Sequence, residues 1–188
     1  MKLRAVCLYL FNQKRQALGP VLQVPHGVSI SIVKPAPDDP YAAPIRSASS
    51  LMQYSHEIPY GPRIHVRGIV TRSEPGSLVW IRDGASGLRI QATQTDKLKP
   101  GDEIDVLGFP GYGSSIPVLE DAIYRKSGMS APPVPLTLTN PADAYDHQDD
   151  LVSIKATLTD IQPVLNGLAL TLKQDDTVFK AILKEPIN

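Results

Sequence analysis

The stretch Ile64-His65-Val66-Arg67-Gly68-Ile69-Val70-Thr71, followed after a turn by Leu78-Val79-Trp80-Ile81-Arg82 and then by Leu88-Arg89-Ile90-Gln91-Ala92, decides the fold class. Ile64, Val66, Gly68 and Val70 alternate with His65, Arg67, Ile69 and Thr71, the period of two that gives a strand one buried face. Ser73-Glu74-Pro75-Gly76-Ser77 carries Pro-Gly turn punctuation. Asp83-Gly84-Ala85-Ser86-Gly87 opens on Asp-Gly and predicts a five-residue hairpin connection between the second and third strands.

Downstream the same logic continues. In Leu98-Lys99-Pro100-Gly101-Asp102 the proline pre-sets the first central turn position and the glycine supplies positive φ at the next. Glu103 to Gly108 alternates with Ile104 and Val106 inward, Phe109 to Ser115 reads as a loop, and Ile116 to Ala122 leads into Ile123-Tyr124-Arg125. Five short strands in about 65 residues fit a small closed barrel, which removes exposed sheet edges. The segment 150–188 repeats the first three strands. Val152 to Thr159 lines up with Ile64 to Thr71, Leu170 to Asp175 with Val79 to Gly84, and Thr177 to Leu183 stands as strand three. The expected organisation is therefore a barrel over 61–128, a linker over 129–149 that is proline-rich from Ala131 to Pro141, and an incomplete second unit. A barrel without its last two strands leaves an open edge, which favours a fragmentary chain. A β extension packed on the first barrel is the alternative.

Residues 1–60 are poorly patterned. Eight of the 18 prolines fall within the first 62 residues, and the density predicts irregular backbone from Gly19 to Pro62. Met1 to Arg4 is a basic start, and Ala5 to Phe11 is an apolar run at the lower limit for a signal peptide. Asn12-Gln13-Lys14-Arg15-Gln16 stands where a small-residue cleavage site belongs, so a short strand or helical turn is the blander reading. Charge also shifts along the chain. The 19 basic and 19 acidic residues cancel overall, yet residues 1–49 hold six basic and two acidic groups, and 129–188 hold four basic and eight acidic. No apolar run approaches the ~18 residues of a membrane-spanning helix. One cysteine, Cys7, leaves no internal disulfide and no multi-cysteine zinc site.

With these residues in hand, the segment 60–130 resembles OB-fold domains, through Val66 to Thr71, the Trp80-Ile81-Arg82-Asp83-Gly84 hairpin, Leu98 to Gly108 and Pro117 to Glu120. The likeness is to OB modules in the N-terminal sensory regions of bacterial membrane-bound histidine kinases and related signalling proteins. That resemblance implies an all-β class, with a five-stranded OB-fold Greek-key barrel followed by a partial second OB-like unit. It also implies an extracytoplasmic position and a transmembrane helix and kinase core elsewhere in a longer chain. No kinase core lies in these residues, so the chain is expected to be non-catalytic.

Strand alternation places Trp80, Arg82 and Arg89 on the outside of the barrel, with Arg67 on the same outer surface. Outward faces of strands two and three are where OB folds bind oligonucleotides and oligosaccharides. An aromatic ring stacks on a base or sugar, and arginine binds phosphate or carboxylate bidentately. The hairpin also resembles anticodon-binding OB domains, which implies RNA contact at Trp80, Arg82 and Arg89. Phe109 and Tyr112, in the loop between strands four and five, are minor candidates for lining the groove. The competing reading is a solvated sheet face whose tryptophan is covered by a neighbouring segment, with Glu74, Asp83 and Glu103 as local counter-charges.

The expected partner is a small ligand or a protein. Single-stranded nucleic acid is the runner-up, disfavoured by the missing basic excess. A purely structural spacer is a third reading. Gly108 to Ser115 lacks the Gly-Lys-Ser/Thr ending of a phosphate loop. His26, His56, His65 and His147 have no metal-ligand spacing, and Asp143 to Asp150 lacks the glycine and terminal glutamate of a calcium loop, so it reads as a hydrated acidic linker. No cofactor motif, nucleophile elbow or acid–base pair presents itself.

Overall fold

The computed structural model describes residues 2–11, 17–25, 33, 35, 38–52, 63–84, 86–111 and 118–184. The chain forms two compact units, Met1–Ala43 with Ser55–Gly61, and Pro44–Tyr54 with Pro62–Asn188. In the first unit β1 (Val6–Phe11) pairs antiparallel with β2 (Ala17–Gln23). The irregular backbone expected from Gly19 onward is corrected here: Gly19 to Gln23 is strand. Pro20 sits opposite Tyr9 in a two-stranded ribbon, where every strand is an edge and a missing N–H is tolerated. All of β1 is exposed, Cys7 included.

The second unit is built on a closed barrel of β3 (Ile64–Glu74), β4 (Leu78–Asp83), β5 (Ser86–Gln91), β6 (Asp102–Gly111) and β7 (Val118–Met129). Their order is β3-β4-β5-β7-β6, with β6 closing onto β3. Only the β5–β7 pairing is parallel. The inward positions read from the alternation, Val66, Val70, Ile81, Ile90, Ile104 and Val106, are all fully buried. Gly68 is required on that inner face, since a Cβ there would lie 2.8 Å from Ile81 Cδ1. Gly101 takes φ +97° after Pro100, and the Lys99 N–H donates to Asp102 Oδ2 at 3.0 Å, closing the expected turn. The β4–β5 hairpin is tighter than the five-residue connection predicted: Asp83 pairs with Ser86, and Gly84 takes φ +59°.

Residues 44–52, from the proline-rich segment, cap this barrel. Ile45 bridges His65 in parallel, the Arg46 N–H donates to the His65 carbonyl at 2.7 Å, and a 3-10 turn follows over Ala48–Met52. Ala48 is buried in the barrel core with Leu51 packed against it, and the Ala48 N–H donates to Asp83 Oδ2 at 2.7 Å.

Beyond the barrel, β8 (Leu136–Leu138) pairs in parallel with β9 (Val152–Ile154) around a 3-10 turn over Pro141–His147. Then β10 (Thr157–Val164), β11 (Gly167–Gln174) and β12 (Thr177–Leu183) form an antiparallel sheet. The single strand expected over Val152 to Thr159 is thus split at Lys155-Ala156, because Val152 to Ile154 pairs with β8. The likeness to the barrel extends to detail. Both first strands carry an irregularity at a threonine, Thr71 and Thr159. The Thr71 hydroxyl donates to the Trp80 carbonyl at 3.2 Å, and the Thr159 hydroxyl to the Thr171 carbonyl at 3.0 Å. The lead-ins correspond too: Ile45 meets His65 in parallel as Thr137 meets Ser153. No described helix is long and apolar enough to cross a membrane.

Candidate functional site

Trp80, Arg82 and Arg89 do come together. Trp80 and Arg89 are directly paired across β4 and β5, and Arg82 lies one outward position along β4. They do not face open solvent. The Trp80 indole Nε1–H donates to Asp149 Oδ1 at 2.9 Å. Arg82 Nε donates to Asp150 Oδ1 at 2.9 Å, Nη2 reaches the same oxygen and the Leu151 carbonyl at 3.1 Å, and Nη1 donates to the Val134 carbonyl at 2.7 Å. Arg89 Nε stands 3.7 Å from Asp149 Oδ2. The Arg72 guanidinium lies 5.2 Å over the Trp80 ring, a cation–π distance.

The hydrated acidic linker is therefore corrected at its end, while Asp143 and Asp146 are exposed as expected. Asp149 and Asp150 are docked on the β4–β5 face, with side chains only 10% and 6% exposed. Gly87 makes room for them, since a Cβ there would collide with the Asp149 carbonyl and lie 2.8 Å from Asp150 Cα. The two carboxylates are held unequally. Asp150 accepts from Arg82 twice and from the Leu151 N–H at 3.0 Å. Asp149 sits at φ +61°, in the left-handed region that is uncommon for a residue with a Cβ, and its buried Oδ2 makes no hydrogen bond.

Beside Arg89 a groove of about 420 Å³ opens, lined by Leu78, Gln91, Thr93 and Val118 among others. Arg89, its side chain 32% exposed and paired with Asp149 only at 3.7 Å, is the charged group in that lining.

The remaining candidates fall elsewhere. Arg67 donates from Nε to Asp105 Oδ1 at 2.7 Å, across the β3–β6 pair and away from Trp80. Asp105 is buried and also meets His65 Nε2 at 3.2 Å and Arg125 Nε at 3.4 Å. Burial pushes its carboxyl up, but Arg67, His65 and Arg125 together pull it further down, so it ionises below the ordinary carboxylate range. His65, expected on an outward face, is outward but covered. Phe109 belongs to β6 rather than to a loop, paired with Glu120 of β7, and the Arg63 guanidinium lies 5.2 Å over its ring. It sits two strands from β4 in the barrel order and does not join the Trp80 group. Tyr112 lies outside the described residues. Glu74 and Asp83, expected as counter-charges, are engaged with Arg72 and Lys184 and with the Ala48 N–H respectively.

What sequence reasoning missed is the pair Asp149-Asp150 and the role of Gly87. The available signal was a charge mismatch, a face with two outward arginines and an acidic segment with no basic neighbour. Nothing local linked segments almost 70 residues apart. Among the described residues no group of three or more His, Cys, Asp or Glu is arranged to hold a metal ion. Comparison with protein-family models, curated proteins and solved structures finds no match to this chain.

Proposed function

We propose that the chain is a non-catalytic sensory or interaction module, an OB-fold barrel followed by a partial second OB-like unit, that binds a ligand or protein partner on the outward face of β4 and β5. The closed five-strand order with one parallel pair supports the OB reading, and that fold presents its second and third strands to ligands. The resemblance to sensory regions of bacterial signalling proteins extends the reading to a part of a longer sensor chain.

One observation carries the binding role. Three side chains chosen for recognition chemistry converge on two carboxylates, with a hydrogen bond from each of Trp80 and Arg82. The face thereby displays its own preference, for carboxylates on a peptide backbone. The same two aspartates oppose a phosphate chain, so nucleic acid is the weaker alternative.

Fluorescence of Trp80, the single tryptophan, tests this. An oligo-aspartate peptide at low salt is expected to shift its emission, and Arg82→Ala to abolish the shift. Single-stranded DNA is expected to give none. A response to DNA and not to the peptide would replace the acidic partner by nucleic acid.

A further inference from the structure

Resting on that reading, we propose that the β4–β5 face is a docking site for an acidic peptide segment of a partner protein and that Asp149-Asp150 is its internal competitor. The partner gains the face as the chain's own segment lifts.

The first argument is charge complementarity at close range. Arg82 serves one carboxylate and two backbone carbonyls, and Trp80 serves the neighbouring carboxylate. That donor set fits adjacent acidic residues on a peptide better than an isolated anion.

A second argument is the asymmetry of the occupant. Asp150 is gripped, whereas Asp149 is held in the left-handed region with one buried oxygen lacking a hydrogen bond and Arg89 3.7 Å away. The groove opens on that looser side, at Arg89. An incoming carboxylate can take Arg89 from the groove before Asp149 leaves, so exchange needs no prior loss of the Asp150–Arg82 pair. The 3-10 turn that precedes the pair buries no residue, so lifting it exposes little apolar surface.

The third argument comes from the repeated hairpin. β11–β12 keeps the register of β4–β5, pairing Thr171 with Lys180 as Trp80 pairs with Arg89. At the positions of Trp80, Arg82, Gly87 and Arg89 it carries Thr171, Lys173, Val178 and Lys180. The hairpin thus forms without the tryptophan, the glycine or the guanidinium forks, keeping only a positive charge at two positions, which assigns Trp80, Gly87 and the forks of Arg82 and Arg89 to the docking surface rather than to the fold.

The probe is a fluorescently labelled peptide with the chain's own sequence from Asp146 to Ser153, with affinity read by anisotropy at low salt. Two variants test the face: Asp149→Ala with Asp150→Ala removes the competitor's charges and opens it, whereas Gly87→Ala, whose Cβ would collide with the Asp149 carbonyl of the chain's own segment and of the peptide alike, closes it to both. The opened variant is expected to bind the peptide at least tenfold more tightly than the wild-type chain, and Arg82→Ala and Gly87→Ala to lose binding. Equal affinity in wild type and the opened variant, still lost in Arg82→Ala, would overturn the competitor while leaving the face as a binding site. No binding in the opened variant, with wild-type circular dichroism, would overturn the docking face itself.

Discussion

The two hairpins of the second compact unit share one design and differ in what completes them. In β4–β5 the inward Val79, Ile81, Leu88 and Ile90 are at most 2% exposed, because β6, β7 and the segment 44–52 close over them. In β11–β12 the matching Leu170, Leu172, Phe179 and Ala181 are only half-buried. β10 and β12 have no outer neighbour among the described residues. Even the ties to the lead-ins match, with Asp83 accepting from the Ala48 N–H and the Gln174 amide donating to the Thr139 carbonyl. Strand pattern, turn and register are therefore set locally, whereas burial depends on strands far along the chain.

The largest effect that would break this comparison lies in the core. Ile81→Ala is expected to cost about 2–5 kcal/mol, as for other large-to-small changes in closed cores. Leu172→Ala at the matching position is expected to cost about half of that or less, since its side chain is already partly wet. Urea denaturation of the two variants reads the difference, and equal losses would show that the second sheet is as closed as the barrel.

A smaller effect separates the outer faces. Asp105 is a buried charge hub with no counterpart among the described residues of β10, β11 and β12. Its carboxyl is held below the ordinary range, so its contribution is fully present above about pH 4. It is lost as pH falls through the lower folded value. Asp105→Asn is expected to cost about 1–3 kcal/mol at neutral pH and to flatten the acid limb of stability against pH. An acid limb of unchanged steepness would remove Asp105 from the account.

The smallest effect is one of sameness. Thr71→Val and Thr159→Val each remove one hydroxyl–carbonyl hydrogen bond, expected at about 1 kcal/mol apiece. Hydrogen exchange across β3–β4 and β10–β11 should loosen in parallel. A change in one sheet alone would show that the shared irregularity has different roles.

Much of the barrel was legible because the period of two in Ile64 to Val70, Val79 to Ile81 and Glu103 to Leu107 states both strand and facing, and Pro100-Gly101 states the turn. The outward grouping of Trp80, Arg82 and Arg89 followed from the same alternation. What was not legible depended on distant pairing. Ala48 looks like loop sequence until a barrel end exists to bury it. His65 and Asp105 look solvent-facing until β3 meets β6 and Ile45 bridges His65. Asp149 and Asp150 read as hydrated because their partners lie in a strand pair far back in the chain. Pro20 argued against a strand by a rule that holds for central strands and not for a two-stranded ribbon.

The Trp80 indole N–H gives one resonance in the proton–nitrogen correlation spectrum, and it reports directly on whether Asp149 occupies the barrel face. With the segment docked, Asp149→Asn and Gly87→Ala are each expected to move that resonance away from its wild-type position, and adding the Asp146–Ser153 peptide to the chain with Asp149→Ala and Asp150→Ala to move its resonance toward the wild-type position. An indole resonance at the wild-type position in both variants would contradict the docked segment, and with it the reading of β4–β5 as a face that holds carboxylates.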